Sequence, residues 1–114
     1  MYALLAICGC KKDKKSEVVN AEESYLLEFT APWCGYCQYM KPLVEKLEKE
    51  ERVHVKQYDT DTADGDAKYA EWNKKAKQHC IGIPFFVNTR TLNSICGATD
   101  YESLKYWALE KLEK

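Results

Sequence analysis

With 114 residues the chain has room for one domain with a modest core. Its formal net charge of −1 excludes the strong basic field by which proteins hold nucleic acid or an anionic membrane surface. Eight Tyr and three Trp favour a folded core over disorder.

The chain opens on the apolar Met1-Tyr2-Ala3-Leu4-Leu5-Ala6-Ile7, too short to span a bilayer and lacking the basic start of a signal peptide. Cys8-Gly9-Cys10 and a charged run, Lys11 to Lys15, follow. Two readings stand. Apolar residues, then Gly-Cys, then a polar tether resemble the end of a bacterial lipoprotein signal, with Cys10 lipidated and a true start upstream of Met1. The other is a frayed apolar tail. Residues 11–24 hold many charges and only Val18 and Val19 as large apolar residues, so they read as a tether. The expected division is a stub and tether over 1–24 and a domain over 25–114.

Tyr25 to Thr30 is apolar and aromatic and predicts a buried strand over 25–30. Ala31-Pro32-Trp33 breaks it. Met40, Leu43, Val44 and Leu47 then recur at helical spacing, predicting a helix over 34–51 with Pro42 inside it. Val53 to Tyr58 alternates and predicts a second strand, with His54 facing solvent. Asp59, Thr60, Asp61 and Thr62 supply N-cap candidates for a helix over 64–79, whose Tyr69, Trp72 and Ala76 stripe should pack on the sheet. Asp64-Gly65-Asp66 lacks the remaining positions of a calcium loop and reads as an acidic helix start. Phe85-Phe86-Val87 predicts a buried strand and Ser94-Ile95-Cys96 its hairpin partner. Thr99 and Glu102 form a capping box for a last helix that turns Leu104, Trp107, Ala108 and Leu112 inward. The order β-α-β-α-β-β-α predicts an α/β fold: a mixed four-stranded sheet flanked by helices, its parallel half built by a right-handed crossover.

The chemistry centres on Trp33-Cys34-Gly35-Tyr36-Cys37. Two cysteines at this spacing serve dithiol redox chemistry, half of a metal site, or haem attachment. Haem attachment needs a His after the second Cys, where Gln38 stands. Zinc needs a second ligand pair, and Cys8, Cys10, Cys80 and Cys96 form no second CxxC. Cys34 falls where a strand turns into the first turn of a helix. Free backbone N–H groups and the positive end of the helix dipole stabilise a thiolate there, lowering a pKa of about 8.5 by one to several units. Cys34 is therefore the expected nucleophile, and Cys37, one turn deeper, the thiol that resolves the mixed disulfide.

At these residues the sequence resembles the thioredoxin superfamily. Trp33 precedes the first Cys; Pro42 lies five residues after the second; Glu28, six before the first, matches a buried carboxylate that is more often Asp; Ile83-Pro84 matches a cis-proline; Gly97 matches a Gly after the last strand. The resemblance runs from about Tyr25 to the C-terminus, and the short chain points to the minimal fold that glutaredoxins use. It implies a protein thiol–disulfide oxidoreductase that needs no cofactor, acts as a monomer on protein thiols and disulfides, and draws on an upstream reductase or electron donor. Trp33, Gly35, Tyr36, Ile83, Pro84 and Gly97 would shape the substrate groove. Glu28, on a buried strand, would have a raised pKa and take the proton of Cys37. The family's lysine partner for this acid is replaced by Gln57, or by Lys56 if the alignment slips by one. Tyr36 stands where thioredoxins usually have Pro; Cys-Gly-Tyr-Cys is closer to periplasmic disulfide isomerases, and the Tyr is shared with many glutaredoxins.

Two other functions remain in view. Gly97-Ala98-Thr99-Asp100 resembles the turn by which glutaredoxins hold glutathione, without its second Gly. A metal-delivery module using Cys8, Cys10, Cys34 and Cys37 is the other. Cys80, at the end of the second helix, and Cys96 are expected as small buried thiols rather than a disulfide. A lipid on Cys10 would place the protein outside the cytoplasmic membrane; without it the cytoplasm is expected.

Overall fold

The structure, a computed structural model, describes residues 24–110. The N-terminal stub, with Cys10 as its expected lipidation site, and Leu112 lie outside those residues. The described elements are β1 (Leu26–Thr30), α1 (Gly35–Glu51), β2 (Val55–Asp59), α2 (Ala63–Lys75), β3 (Phe85–Asn88), β4 (Ser94–Cys96) and α3 (Tyr101–Leu109). The sheet order is β2-β1-β3-β4. β1 runs parallel to β2 (Leu26 opposite Val55, Thr30 opposite Asp59) and antiparallel to β3 (Leu26 opposite Asn88, Phe29 opposite Phe85). β3 and β4 close an antiparallel hairpin, with Phe85 opposite Cys96. This is the expected mixed sheet.

Alternation along β1 divides the core between two faces. Leu26, Phe86 and Val55 pack against Met40, Val44 and Leu47 of α1 and Leu104, Trp107 and Ala108 of α3. On the other face Leu27, Phe29, Phe85 and Val87 meet Tyr69, Trp72 and Ala76, the aromatic stripe of α2. Phe29 stacks on Tyr58, with ring centroids 5.4 Å apart, and meets Tyr69 edge-on at 5.6 Å. Glu28 shares the face of Leu26, so its carboxyl enters the layer beneath α1.

Asn88 is fully buried yet satisfied. Its amide donates to the Trp107 carbonyl at 3.0 Å, and its side-chain oxygen accepts from the Arg90 backbone at 2.9 Å. It ties the hairpin to α3. Gly65 sits where α2 starts over β2: a Cβ there would lie 1.9 Å from the Asp59 carbonyl oxygen, so no larger residue fits without displacing backbone.

Three boundaries differ from the sequence expectation. α1 ends on Arg52 in a left-handed conformation (φ 57°), so residues 53 and 54 return the chain to the sheet and β2 begins at Val55. α2 ends at Lys75, not His79. Residues after Ala76 instead bond to the hairpin, Lys77 N–H to the Leu92 carbonyl at 2.8 Å and the Ser94 hydroxyl to the Gln78 carbonyl at 2.6 Å. Cys80 therefore lies in a loop rather than on a helix end. The N-cap of α3 is Asp100, whose carboxylate accepts from the Ser103 N–H at 2.8 Å. The expected cap, Thr99, is drawn against α1, where its N–H meets the Met40 sulfur at 3.4 Å.

Candidate active site

The site forms where β1 ends and α1 begins. Ala31 accepts the Cys34 N–H at 3.2 Å, which turns the chain sharply enough for Cys34 to cap the helix. The Cys34 sulfur accepts the Cys37 N–H at 3.1 Å. It thus occupies the place an oxygen usually takes at an N-cap, facing the otherwise unpaired donors of the first turn. Helical spacing brings Cys37 back beneath it, and the two form a disulfide with Cα atoms 5.1 Å apart. α1 continues through Pro42.

The segment before β3 forms the opposite wall. Ile83–Pro84 is a cis peptide, and the Ile83 carbonyl oxygen lies 3.8 Å from the Cys34 sulfur. Gly97 has φ +94°, a region that favours glycine, and its N–H donates to the Pro84 carbonyl at 2.7 Å. Trp33 and Tyr36 lie about the pair at 70% and 69% exposure. The Trp33 indole is not free to swing: its N–H is shared between the two carboxylate oxygens of Asp61 at 3.0 and 3.2 Å. A groove of about 430 Å³ runs alongside, lined by Gly35, Tyr36, Tyr39 and Ala98.

Glu28 is 1% exposed. The β1–β2 register places Gln57 opposite it, and the Gln57 amide donates to the Glu28 carboxyl at 2.9 Å. That settles the partner as Gln57 and not Lys56, so no cation compensates the acid. Burial, the largest cause, pushes the Glu28 pKa up to about 7 from 4.5; the Gln57 bond pulls down and the Glu48 carboxylate pushes up. A cleft of about 180 Å³ is lined by both Cys37 and Gln57, with Lys41 and Asp59 at its rim. The cleft thus runs between Cys37 and the residue that holds Glu28.

The structure brings Cys34, Cys37, Trp33, Gly35, Tyr36, Ile83, Pro84 and Gly97 to one end of the sheet, with Glu28 beneath. Sequence reasoning missed Asp61, whose hold on Trp33 joins two loops distant in sequence. It also missed Tyr39, which the three-residue spacing from Tyr36 on one helix could have revealed. The expectation that Cys80 and Cys96 are free buried thiols is overturned: they form a disulfide with Cα atoms 5.3 Å apart, and Cys96 is exposed. Among the described residues no group of three or more His, Cys, Asp or Glu converges as a metal site. No helix among them is long and apolar enough to cross a membrane.

A strand-to-helix dithiol facing a cis-proline loop defines a thioredoxin-like site, and comparison with known proteins agrees. The thioredoxin family model matches residues 7–109. The chain is 32% identical over 100 residues to the M-type chloroplastic thioredoxin of Pisum sativum, covering 85% of this chain and 52% of that protein. It is 34% identical over 91 residues to the thioredoxin of Porphyra purpurea, covering 80% and 82%. A mutant thioredoxin from Halobacterium salinarum NRC-1 superposes with a TM-score of 0.61 at 26% identity, covering 78% of this chain and 74% of that one. The chain belongs to the thioredoxin family. It spans about half the length of the pea relative.

Proposed function

We propose that the protein is a thiol–disulfide oxidoreductase acting on protein substrates through Cys34 and Cys37. The observation that carries this is the Cys34 sulfur at the α1 N-terminus, accepting the Cys37 N–H at 3.1 Å beside the exposed groove. In the reducing direction the Cys34 thiolate attacks one sulfur of a substrate disulfide. The second substrate sulfur leaves as a thiolate and takes a proton from solvent. Cys37, losing its proton toward Glu28 through water in the adjoining cleft, attacks the Cys34 sulfur and expels the reduced substrate. Two electrons have then passed to the substrate, and the Cys34–Cys37 disulfide waits for a dithiol donor. The reverse sequence oxidises a substrate dithiol.

The groove residues take the substrate backbone and side chains. The Ile83 carbonyl, 3.8 Å from the Cys34 sulfur, is placed to accept a hydrogen bond from an extended substrate chain. Trp33, Tyr36 and Gly35 form the near wall and Pro84 and Gly97 the far wall. Glu28, at a pKa of about 7, is poised to accept a proton near neutral pH. Lipidation at Cys10, carried by sequence pattern alone, would hold the domain at the outer face of the cytoplasmic membrane.

The test is substrate trapping. Replacing Cys37→Ser leaves Cys34 able to attack but removes the resolving thiol. Incubation with a disulfide-containing protein should accumulate a mixed disulfide at Cys34, mapped by mass spectrometry and released by dithiothreitol. A variant that accumulates none, while wild type is equally inert, overturns the proposal.

A further inference from the structure

The Cys80–Cys96 disulfide ties together the two stretches of chain that build the far wall of the groove. Cys80 immediately precedes Ile81-Gly82-Ile83-Pro84, the segment facing Cys34; Cys96 immediately precedes Gly97, whose N–H bonds the Pro84 carbonyl, and Ala98, which lines the groove. Between its ends, Ile81 and Gly82 are exposed, while Ile83, half-buried, packs against the clusters of Phe29 and Phe85 and of Cys34 and Cys37. The exposed part is held from its two ends. At one, the Gly97 N–H bonds the Pro84 carbonyl at 2.7 Å. At the other, Cys80 is fixed by the disulfide, by the Asn73 side-chain oxygen on its N–H at 3.0 Å, and by the Tyr69 hydroxyl, which reaches the Cys80 and Gly82 carbonyls at 3.0 and 2.9 Å. Among the described residues the disulfide is the only covalent link between this loop and β4.

The two cysteines differ in exposure. Cys80 is 5% exposed, whereas Cys96 lies exposed on the edge strand. An incoming thiolate therefore meets Cys96 and expels Cys80, the buried sulfur, as the leaving group. The released Cys80 thiol has an acceptor waiting, the Gly82 carbonyl at 3.3 Å.

We infer that Cys80–Cys96 is a second redox site, reducible in the folded protein by a dithiol, whose state sets how firmly the groove holds a protein substrate. In the exchange, one thiolate of the dithiol bonds Cys96 and Cys80 leaves. The second thiolate of the dithiol then displaces Cys96 and closes its own disulfide. Two electrons and two protons pass to the Cys80–Cys96 pair. The inference rests on the Cys34–Cys37 chemistry proposed above. Small disulfides need only Cys34. Extended protein substrates need the Ile81–Pro84 wall in place, so an untethered wall must be ordered anew on each binding.

The test uses the full chain. Oxidised native protein is titrated with dithiothreitol without denaturant, blocked with an alkylating reagent and mapped by mass spectrometry, with circular dichroism following the fold. Cys80 and Cys96 should be blocked at the outset and become alkylated while the fold persists. KM for a protein disulfide is then compared between the forms with Cys80–Cys96 oxidised and reduced, and with the Cys80→Ala/Cys96→Ala variant. Loss of the tether should raise KM about three- to tenfold, the factor for ordering one more residue on binding. The rate with a small aromatic disulfide should stay within about twofold, since that substrate makes no use of the wall. Free thiols at the outset, reduction only upon unfolding, or an unchanged KM overturns the inference. Wild type with Cys34–Cys37 reduced that yields no Cys34 exchange with either disulfide overturns the dithiol proposal itself. The two failures are told apart because Cys80–Cys96 reduction is read independently of activity.

Discussion

Replacing Glu28→Gln should make stability depend less on pH, in a direction and amount the structure fixes. Glu28 is held by one neutral amide and no cation, and its pKa rises from 4.5 in the unfolded chain to about 7 in the fold. Below pH 4.5 both states carry the proton, so its contribution is full. Between 4.5 and about 7 only the folded state keeps it, and stability falls as pH rises. At ~1.4 kcal/mol per tenfold in proton affinity the loss is about 3 kcal/mol. Glutamine keeps the shape and a hydrogen bond to Gln57 but does not titrate. The assay is urea unfolding of the oxidised wild type and variant at pH 4.5 and pH 8. The variant's advantage should grow by about 3 kcal/mol across that range, or a midpoint shift of about 1–3 M at the slopes usual for small domains. Curves that keep a constant separation would refute the argument, since Glu28 would then be ionised at no cost. The same variant should slow resolution of the mixed disulfide about a hundredfold at pH 7, the low end for loss of a positioned proton acceptor.

Other outcomes follow from the packing. Gly65→Ala puts a methyl group against the Asp59 carbonyl and should cost about 1–3 kcal/mol in denaturant unfolding. Asn88→Ala strands the Trp107 carbonyl and the Arg90 N–H and should cost a similar ~1–3 kcal/mol. The Cys80→Ala/Cys96→Ala variant opens a loop with a sequence separation of 16 and should lose about 3 kcal/mol, read against oxidised wild type by guanidinium unfolding. Asp61→Ala frees the Trp33 indole; its fluorescence anisotropy should fall while the far-ultraviolet dichroism is unchanged.

The strand, the helix and the dithiol between them were legible because they depend on local signals: an apolar run, a Pro-Trp break, then apolar residues at helical spacing. The end of α2 was not. Lys77, Gln78 and His79 are compatible with a helix, and only the hairpin's claim on Lys77 and Gln78 draws them out of it. The α3 cap failed for a related reason: Thr99 and Asp100 are both good caps, and the Met40 sulfur decides between them. The Cys80–Cys96 pair was hidden because two cysteines sixteen apart meet only if the loop and β4 are brought together by Gly97 and Pro84. Glu28 was visible as an anomaly, a carboxyl in an apolar strand. Its partner became certain only with the register that sets Gln57 opposite.

The central claim, that Cys34 and Cys37 form a reversible redox pair, is tested most directly by its equilibrium with glutathione buffers, quenched by alkylation and read by mass spectrometry. A single two-electron transition between these cysteines, at a potential between about −270 and −120 mV, is the predicted result. Failure of the two to join at any poise, with the fold intact, would contradict it.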